Sequence, residues 1–476
     1  MGSAQHSVAV IGGGIAGLAA AHALLTGNHA VGDQVGVGDD IPNDSPNDIP
    51  HVTLFESEGR LGGKLLTSPF AGHPAIDEGP DAFLARLPWA TALAKQVGLG
   101  DQLESPAAGK AAVWWEALHP IPDGLLLGMP TDVMALARSR LLSWPGKMRA
   151  ATEPFRRRTP LAPDSLGGYV RDRFGKEIHL RLVDPLVGSI YAADTDHFSL
   201  AAVPQIADLA GRGRSILITG RRMPKPRANA GPVFYAPRDG MGALVTHTAD
   251  AVAAAGGELL TGSRVQMLEP DGRGWRVDGR RFDAVVLACP AAAAARLLST
   301  IAPDVATSLA AIPSADVAMV TLAVHASDWP DRLLGMSGYL VPKPMQRLVT
   351  AASFGSQKWS HWAVPSSVVL RISLGRDGLP VLHLSDEQLL GAAIEEVGNH
   401  LGLTLQPQHA RVSRWQGAFP QYRPHHAARV ATAQLALPAG LALAGASYHG
   451  IGVPACIRSA QESATALRIH LATMAN

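Results

Sequence analysis

Near its N-terminus the chain reads Val8-Ala-Val-Ile-Gly-Gly-Gly-Ile-Ala-Gly-Leu18, and this stretch decides the fold. Its first four residues are apolar and predict a short buried strand. The glycines of a dinucleotide-binding turn follow: Gly12 permits the tight turn, Gly14 lets a pyrophosphate approach the backbone, and Gly17 lets the helix pack on the strand. We therefore predict that phosphate groups bind at the N-terminus of this helix, where free N–H groups favour negative charge.

The next predicted strand, Val52-Thr-Leu-Phe-Glu56, ends on a carboxylate that can accept hydrogen bonds from a ribose. Glu56 lies about twice as far from Gly17 as the roughly 20 residues that are usual for this acid. The excess falls in residues 26–50, which are rich in Gly, Asp, Asn and Pro. A calcium-binding loop would need an ordered series of ligands and a distal glutamate, so we predict a flexible surface insertion instead.

Composition and charge exclude several classes of protein. The 476 residues suffice for two or three domains, and 41 basic against 40 acidic residues leave a net charge of +1, which argues against nucleic acid as a partner. Apolar residues make up 47%, yet no apolar run reaches the ~20 residues of a membrane span. No charged leader precedes an apolar segment. The two cysteines predict neither a disulfide framework nor a metal site, and we expect a cytoplasmic enzyme.

The order of the predicted elements favours an α/β fold with a discontinuous nucleotide-binding domain. Buried strands are predicted within residues 282–290 and 441–447, a strand pair at residues 264–268 and 275–278, and a long helix from Val453. The expected division is a Rossmann-like nucleotide-binding domain over residues 1–100, 233–300 and 437–476, an inserted substrate domain with a mixed sheet over residues 101–130, 205–232 and 301–436, and a helical domain over residues 131–204.

Two further glycine clusters connect the sequence to a known family. Arg60-x-Gly62-Gly63-Lys64 and a C-terminal Gly450-x-Gly452 that enters a helix resemble the flavin amine oxidase superfamily. Within it, the chain is most similar to the protoporphyrinogen/coproporphyrinogen III oxidases of haem synthesis. The stretches that carry this narrower resemblance are residues 77–83, 174–177 with 183–194, 414–422 and 445–457.

The resemblance implies FAD as the cofactor. Arg60 and Lys64 would supply cations beside the pyrophosphate, and the N-terminus of the last helix would stabilise negative charge on the reduced flavin. Many members of the superfamily have an acid where this chain has Ala446, so the ribityl contact is expected from backbone or water. The residues expected to bind FAD are Gly12, Gly14, Ile15, Ala16, Gly17, Glu56, Arg60, Gly62, Gly63, Lys64, Gly79, Val265, Gly445, Gly450, Gly452 and Val453.

The resemblance also implies a reaction. Coproporphyrinogen III would lose six electrons in three rounds, each by hydride transfer to the flavin, with O2 as acceptor and H2O2 released. The alternative substrate is protoporphyrinogen IX. Some family members that use it place an arginine after the lysine of Gly109-Lys110-Ala111, and its absence favours coproporphyrinogen. Candidate substrate contacts are Lys110, Arg86, Ile190, Tyr191 and Tyr422, although a surface cation or a core side chain would explain each equally well.

Other interpretations stay open at this point. The catalytic residue is unknown, since no Ser/His/Asp set or carboxylate pair stands out. A flavin amine oxidase, a carotenoid desaturase, or a binding module like the prenyl-GTPase escort proteins are the rivals. His425-His426 lacks a third metal ligand, His449 fits a loop role better than catalysis, and Cys456 fits packing better than a covalent flavin link. The family allows weak membrane association and a transfer partner in the haem pathway, but ordinary burial explains the apolar residues 125–129 better.

Overall fold

The computed structural model of the protein describes residues 5–27, 49–107, 109–223 and 231–475. Most of the predicted insertion, residues 26–50, lies outside the described residues. The helices are α1 (Ile15–Thr26), α2 (Pro88–Gln96), α3 (Val133–Arg138), α4 (Trp144–Ala151), α5 (Leu166–Phe174), α6 (Lys176–Ile178), α7 (Asp184–Tyr191), α8 (Pro204–Arg212), α9 (Ile216–Arg222), α10 (Met241–Ala254), α11 (Ala291–Leu298), α12 (Pro303–Ala310), α13 (Gly355–Lys358), α14 (Asp386–Leu401), α15 (His426–Leu435) and α16 (Val453–Ala475).

The strands take part in several sheets. They are β1 (Ser7–Ile11), β2 (His51–Phe55), β3 (Thr67–Phe70), β4 (His73–Asp77), β5 (Phe83–Leu84), β6 (Leu103–Glu104), β7 (Lys110–Trp115), β8 (Ala117–Pro120), β9 (Leu125–Leu126), β10 (Met129–Pro130), β11 (Phe234–Pro237), β12 (Glu258–Leu260), β13 (Leu268–Asp271), β14 (Gly274–Val277), β15 (Arg280–Phe282), β16 (Ala284–Leu287), β17 (Ser314–His325), β18 (Met336–Leu340), β19 (Val349–Phe354), β20 (Ser367–Leu374), β21 (His409–Pro420) and β22 (Leu441–Leu443).

A five-stranded sheet in the order β12-β2-β1-β16-β22 confirms the predicted Rossmann-like fold. Every neighbouring pair in it is parallel, and β1 lies at the centre. The apolar helix α1 packs between α10 and α16 on one face of this sheet, which is why its residues from Ile15 to Leu25 are buried on all sides. The strands come from residues 7–55, 258–287 and 441–443, and this origin supports our proposal of a three-segment nucleotide-binding domain.

One strand of this region was predicted wrongly and one was missed. Residues 264–267 are not a strand, and β13 begins only at Leu268. The Asp278 carboxylate accepts hydrogen bonds from the backbone N–H groups of Gln266, at 3.0 Å, and Met267, at 2.7 Å, so a side chain takes the place of a ladder partner. The edge strand β12 escaped prediction because three residues are too short to show a period.

A seven-stranded mixed sheet in the order β21-β17-β20-β19-β18-β7-β8 forms the second layered unit, as predicted for the substrate side. All its pairs are antiparallel except β18 with β7. Helix α14 covers one face with buried Leu389, Ala393 and Val397. A capping box at Ser385 and Gln388 fixes the start of this helix where the sequence predicts it.

The helical part has its own apolar core, which also includes two helices beyond residue 203. Helices α8 and α9, residues 204–222, pack into the same cluster as α5 and α7 rather than on the seven-stranded sheet. We therefore propose to group residues 204–222 with the helical domain, not with the substrate domain. The reason is that α8 and α9 bury apolar faces, which include Ile206, Leu209 and Leu217, against this core.

A charged seam joins the helical part to the seven-stranded sheet. The seam consists of Asp184 and Asp194 on the helical side and Arg376 and Lys343 on the sheet side. Arg376 contacts both carboxylate oxygens of Asp184 at 3.1 Å and also donates to the Ala193 carbonyl. The Lys343 ammonium lies 2.6 Å from Asp194 Oδ2. Both partners of the first pair are buried, so the pair is shielded from water and salt.

The described ranges include no helix with an apolar stretch long enough to cross a membrane. The apolar residues 125–129 pack on the helical core: Leu125 and Leu126 are partly buried and Met129 is fully buried. Ordinary burial was the expected outcome for this segment, and it is confirmed.

Candidate functional site

In the N-terminal turn, Gly12 and Gly17 lie in direct contact with neighbouring backbone, whereas Gly14 faces open space. A Cβ at Gly12 would lie 2.7 Å from the Ala288 carbonyl oxygen, and a Cβ at Gly17 would overlap the carbonyl oxygen of Gly12. Around Gly14, by contrast, a Cβ would meet no atom within 4 Å. The open space therefore lies beside Gly14 at the N-terminus of α1, where a phosphate group is expected.

The Glu56 carboxylate is mostly buried and holds this turn in shape. Its Oε2 accepts a hydrogen bond from the Gly13 N–H at 2.6 Å, and its Oε1 accepts from the Glu58 N–H at 2.8 Å. The Glu56 carbonyl also accepts from the Ser263 N–H at 2.7 Å, which brings the segment with buried Val265 to the same edge. Contacts of Glu56 with a ribose and of Val265 with an adenine stay predictions.

The second glycine cluster lies directly against the first. The Gly62 N–H donates to the Gly13 carbonyl at 2.8 Å, and Gly62 pairs with Gly14 in a parallel bridge. The Arg60 guanidinium donates to the Gly63 carbonyl at 2.7 Å, so it is held over the same loop while staying exposed. A cation thus lies next to the open space at the N-terminus of α1.

Lys64 and Gly79 continue this loop toward the seven-stranded sheet. Burial lowers the pKa of the half-buried Lys64 below its usual value, and the Cys456 thiol lies close enough to interact with it. A Cβ at Gly79 would overlap the Lys64 carbonyl oxygen, so the two backbones pass in contact. The Gly79 carbonyl in turn accepts a hydrogen bond from Arg371 of β20.

The C-terminal loop, residues 445–452, closes the site from the other end of the chain. A Cβ at Gly445 would lie 3.5 Å from Ala16 Cβ, and the Gly445 N–H donates to Ser459 Oγ at 2.9 Å. Helix α16 starts at Val453, directly after Gly452. The structure therefore brings the three glycine clusters to one place, although their first and last members are more than 400 residues apart.

These residues fit a dinucleotide flavin. The open space beside Gly14, the helix N-terminus and the Arg60 cation suit a pyrophosphate. The loop that precedes α16 directs a second helix N-terminus to the same region, where partial positive charge favours an anionic reduced ring. Cys456 is buried, burial raises its pKa to about 11, and its Sγ lies 3.8 Å from the Gly450 carbonyl. The thiol is thus packed in the helix, as the sequence predicts.

The predicted substrate contacts do not form one cluster of equivalent residues. Tyr422 is only 2% exposed, and its hydroxyl is bonded to the backbone of the C-terminal loop, which argues against a direct contact with substrate. Tyr191 is partly buried beside the Phe198 ring, and its hydroxyl donates to the Ala202 carbonyl at 3.3 Å. Burial raises the pKa of Tyr191 to about 12, so it stays protonated.

The other three candidates are exposed. Ile190 is 46% exposed at the end of α7, Lys110 begins β7, and Arg86 lies between β5 and α2. Exposed cations are compatible with contacts to propionate groups, and the roles of Lys110, Arg86 and Ile190 stay predictions.

Two groups of functional interest escape sequence reasoning. Asp81 accepts hydrogen bonds from the Lys358 ammonium at 2.8 Å and from the Trp359 indole at 3.1 Å. Burial alone would raise its pKa, but the charges of Lys358 and Arg371 and these hydrogen bonds outweigh it and hold the pKa well below the usual range. Arg371 lies beside Asp81 and reaches the Gly79 carbonyl. Neither arrangement gives a sequence signal, since the partners lie hundreds of residues apart and have no fixed spacing.

Asp77, at the end of β4, caps the N-terminus of α10. Its Oδ1 accepts hydrogen bonds from the Met241 N–H, at 2.8 Å, and from Thr67 Oγ1, at 2.5 Å. A Cβ at Gly240 would lie 2.5 Å from the Thr67 side chain. Gly240 therefore makes room for a carboxylate that caps α10, and burial raises the pKa of Asp77 to about 6.

The histidines have structural partners. His449 Nε2 lies 3.1 Å from the Gln434 side-chain oxygen, and His426 Nε2 lies 3.2 Å from the Tyr448 carbonyl. Across the part of the chain that the structure describes, no three His, Cys, Asp or Glu side chains are grouped to hold a metal ion.

Comparisons with known proteins agree with this geometry. The family profile described as flavin containing amine oxidoreductase matches residues 15–468. Coproporphyrinogen III oxidase of Mycobacterium tuberculosis is 35% identical over 471 residues, which cover 97% of each chain. The Bacillus subtilis protein of the same name is 29% identical and covers 96% of this chain and 97% of its own. A crystal structure from Exiguobacterium sp. 255-15, named as a candidate protoporphyrinogen oxidase, aligns with a TM-score of 0.82 at 28% identity, over 98% of this chain and 99% of that one.

Proposed function

This chain belongs to the flavin containing amine oxidoreductase family, and we propose that it is an FAD-dependent oxidase of haem biosynthesis that converts coproporphyrinogen III to coproporphyrin III. Per molecule, three O2 would take up six electrons and six protons and leave as three H2O2. The observation that carries the proposal is the meeting of Gly14, Gly62 and Gly445 at one helix N-terminus, in a chain that matches oxidases of this name over its full length.

FAD rather than another flavin is supported by the elongated arrangement of the site. Gly14 and Arg60 suit its pyrophosphate, Glu56 and Val265 lie at the end where an adenosine is expected, and the loop before α16 lies at the other end. When bound, the flavin would supply the hydride acceptor and the reaction with O2. The residues of the chain would bind and orient it.

Coproporphyrinogen as substrate is supported by the named relatives. It is also supported by the resemblance, because Ala111 stands after Lys110 where some family members that use protoporphyrinogen place an arginine. The alternative is protoporphyrinogen IX, in line with the more distant match to a rice chloroplast protoporphyrinogen oxidase, which is 26% identical. The two substrates differ in their number of propionates, so cations near the cleft would discriminate between them.

Turnover assays test the proposal. The FAD-loaded protein is mixed with each porphyrinogen in air. Porphyrin formation is followed by fluorescence, and the amount of H2O2 released per porphyrin is measured. We expect three H2O2 per coproporphyrin and a kcat/KM for coproporphyrinogen III at least about tenfold above that for protoporphyrinogen IX, a difference of about 1.4 kcal/mol. Without O2, the flavin absorbance should bleach with porphyrinogen and not with an amine. Bleaching by amines alone would identify an amine oxidase, and a protein that stays colourless with FAD would identify a binding module.

Weak association with a membrane surface is a second proposal, which the helical part supports. Trp144 is 74% exposed and Phe155 is 86% exposed, and the Lys147 ammonium lies 5.0 Å from the centre of the Trp144 ring. Exposed aromatic rings beside cations suit the headgroup region of anionic lipid. The double variant Trp144→Ser/Phe155→Ser should lose cosedimentation with anionic vesicles, whereas Leu435→Ser, at an 89% exposed site on α15, should keep it. Equal losses in both would contradict a specific surface.

A cytoplasmic location, O2 as acceptor and a transfer partner in the same pathway complete the proposal. O2 is the acceptor of the proposed reaction, and a transfer partner is proposed because the apolar ring faces of a porphyrin product would be shielded from water by a protein that receives it. Pull-down of a partner that depends on the bound product, and not on the apoprotein, would support the last point.

A further inference from the structure

The loop of residues 445–452 depends on a residue outside itself. It joins β22 to α16 and turns at Gly445 and Gly450, whose φ angles are +110° and +130°. The loop carries no acid, Tyr448 is buried, and the Ser447 and His449 side chains are bonded to the Ala291 N–H and to Gln434. We therefore expect the loop to offer its backbone to a flavin. Its shape therefore decides where the N–H groups before α16 point.

One hydroxyl group connects both ends of this loop. Tyr422 Oη donates to the Ala446 carbonyl at 2.5 Å and accepts from the Gly450 N–H at 2.9 Å. Tyr422 follows β21, so this contact comes from the chain that leaves the seven-stranded sheet. The hydroxyl thus fixes the distance between the loop's first bend and its last.

The Tyr422 ring is held firmly. It is stacked on the His426 ring with centroids 4.0 Å apart and planes 14° apart, and it lies parallel to Phe198 at 6.1 Å. The Tyr422 carbonyl accepts from the Ser199 N–H at 2.7 Å, which ties it to the helical part. Burial raises the pKa of Tyr422 well above its usual value, so the hydroxyl keeps its proton and goes on donating.

We propose that Tyr422 is a positioning residue that holds residues 445–452 against the flavin and thereby raises both the affinity for the cofactor and its reduction potential. The inference rests on the proposed flavin function and goes beyond it, since it assigns a role to a residue that touches the loop and not the substrate. The physical reason is that dipoles stabilise the added charge of the reduced ring only while they stay aligned.

The substitution Tyr422→Phe tests this role, because it keeps the stacked ring and removes only the hydroxyl. The matched control is Tyr339→Phe: Tyr339 lies on β18 of the seven-stranded sheet and is also buried, and its hydroxyl is bonded to His400 Nδ1 of α14 at 3.1 Å. Circular dichroism and thermal unfolding of the apoproteins check that both variants fold. The dissociation constant for FAD, the flavin absorption spectrum and the two-electron reduction potential are then measured.

For Tyr422→Phe we expect the FAD dissociation constant to rise about tenfold. We expect the binding of reduced FAD to be weakened about tenfold more than the binding of oxidised FAD. This difference lowers the reduction potential of the bound flavin by about 30 mV. Tyr339→Phe should shift the unfolding temperature and leave the potential and spectrum unchanged. If both variants lower stability alike and neither changes affinity or potential, Tyr422 is a core residue and the inference is wrong while the proposed function stands. If the wild-type protein itself binds no FAD, the proposed function fails, and this inference fails with it.

Discussion

Two regions of the molecule treat their charges in opposite ways: the cofactor end, which is the group of loops around Gly14, Gly62 and Gly445, and the charged seam. At the cofactor end, Gly12, Gly14 and Gly62 bring backbone against backbone. Among the described residues no acid lies within salt-bridge distance of the exposed Arg60 cation, which acts on Glu78 only from farther away. In the seam, Arg376 and Asp184 neutralise each other in a buried pair. A region that leaves its charge and its N–H groups open is prepared for a charged ligand, whereas a region that pairs its charges fixes two parts of the fold. The variants below separate these two roles.

The largest effect is expected in the seam. Arg376→Met leaves the buried Asp184 carboxylate without its partner, and breaking one side of a buried pair costs about 3–5 kcal/mol. Urea unfolding should show a free energy of unfolding lower by that amount. The double variant Arg376→Met/Asp184→Leu should regain most of the loss, because no unpaired charge is left. A single variant within about 1 kcal/mol of wild type would show that the pair does not hold the fold.

Acid should act on both regions through buried histidines. Burial lowers the pKa of His426, stacked on Tyr422, and of His179, near the seam, to about 4 each. The unfolded chain binds these protons near pH 6.5, so the stability is full above pH 6.5 and falls as the pH drops to 4, by about 3 kcal/mol for each histidine. Unfolding measured at pH 7 and at pH 4.5 checks this.

The control compares variants one at a time. The slope of the unfolding free energy against pH reports how many more protons the unfolded chain binds than the folded one. His426→Phe and His179→Phe should each reduce that number by up to one. An unchanged slope in either variant would mean that the histidine in question already binds its proton in the folded protein.

Gly17→Ala tests the packing glycine of the cofactor end. Its Cβ would overlap the Gly12 carbonyl oxygen, so the turn must shift. Overpacking of this kind costs about 1–3 kcal/mol, and FAD binding should fall together with the stability of the apoprotein. Both are measured on the same preparation by urea unfolding and by FAD titration. Unchanged stability would show that α1 and β1 can move apart without cost.

The smallest effect on the fold is expected from Gly14→Ala, the matched partner of Gly17→Ala. Its φ of −71° suits alanine, and its Cβ would meet no atom within 4 Å. The apoprotein should therefore keep its stability within about 0.5 kcal/mol. FAD affinity should nevertheless fall about tenfold, or about 1.4 kcal/mol, because the methyl group occupies the space beside the helix N-terminus. Unchanged affinity would place the pyrophosphate elsewhere.

Sequence reasoning succeeded where spacing is local and geometric. The turn at Gly12, Gly14 and Gly17 spans only a few residues, and so does the strand that leads to Glu56. Their residue spacing can therefore be recognised directly in the sequence. It failed at residues 264–267, where the Asp278 side chain replaces a strand partner. It offered Tyr422 as a candidate substrate contact or a core side chain, but it could not show that the buried hydroxyl is bonded to the loop of residues 445–452.

The sequence by itself determined a parallel sheet whose first strand leads through a glycine-rich turn to a helix N-terminus. The reason is that only glycine tolerates two backbones in direct contact, and the spacing of the glycines can be read in the linear order. The tertiary structure decided which charges are paired and which stay open. Arg376 with Asp184, Arg371 with the Gly79 carbonyl, and Tyr422 with the Gly450 N–H join positions that only the folded chain brings within a few ångströms. No local pattern encodes such pairs, since each partner alone looks like an ordinary polar residue.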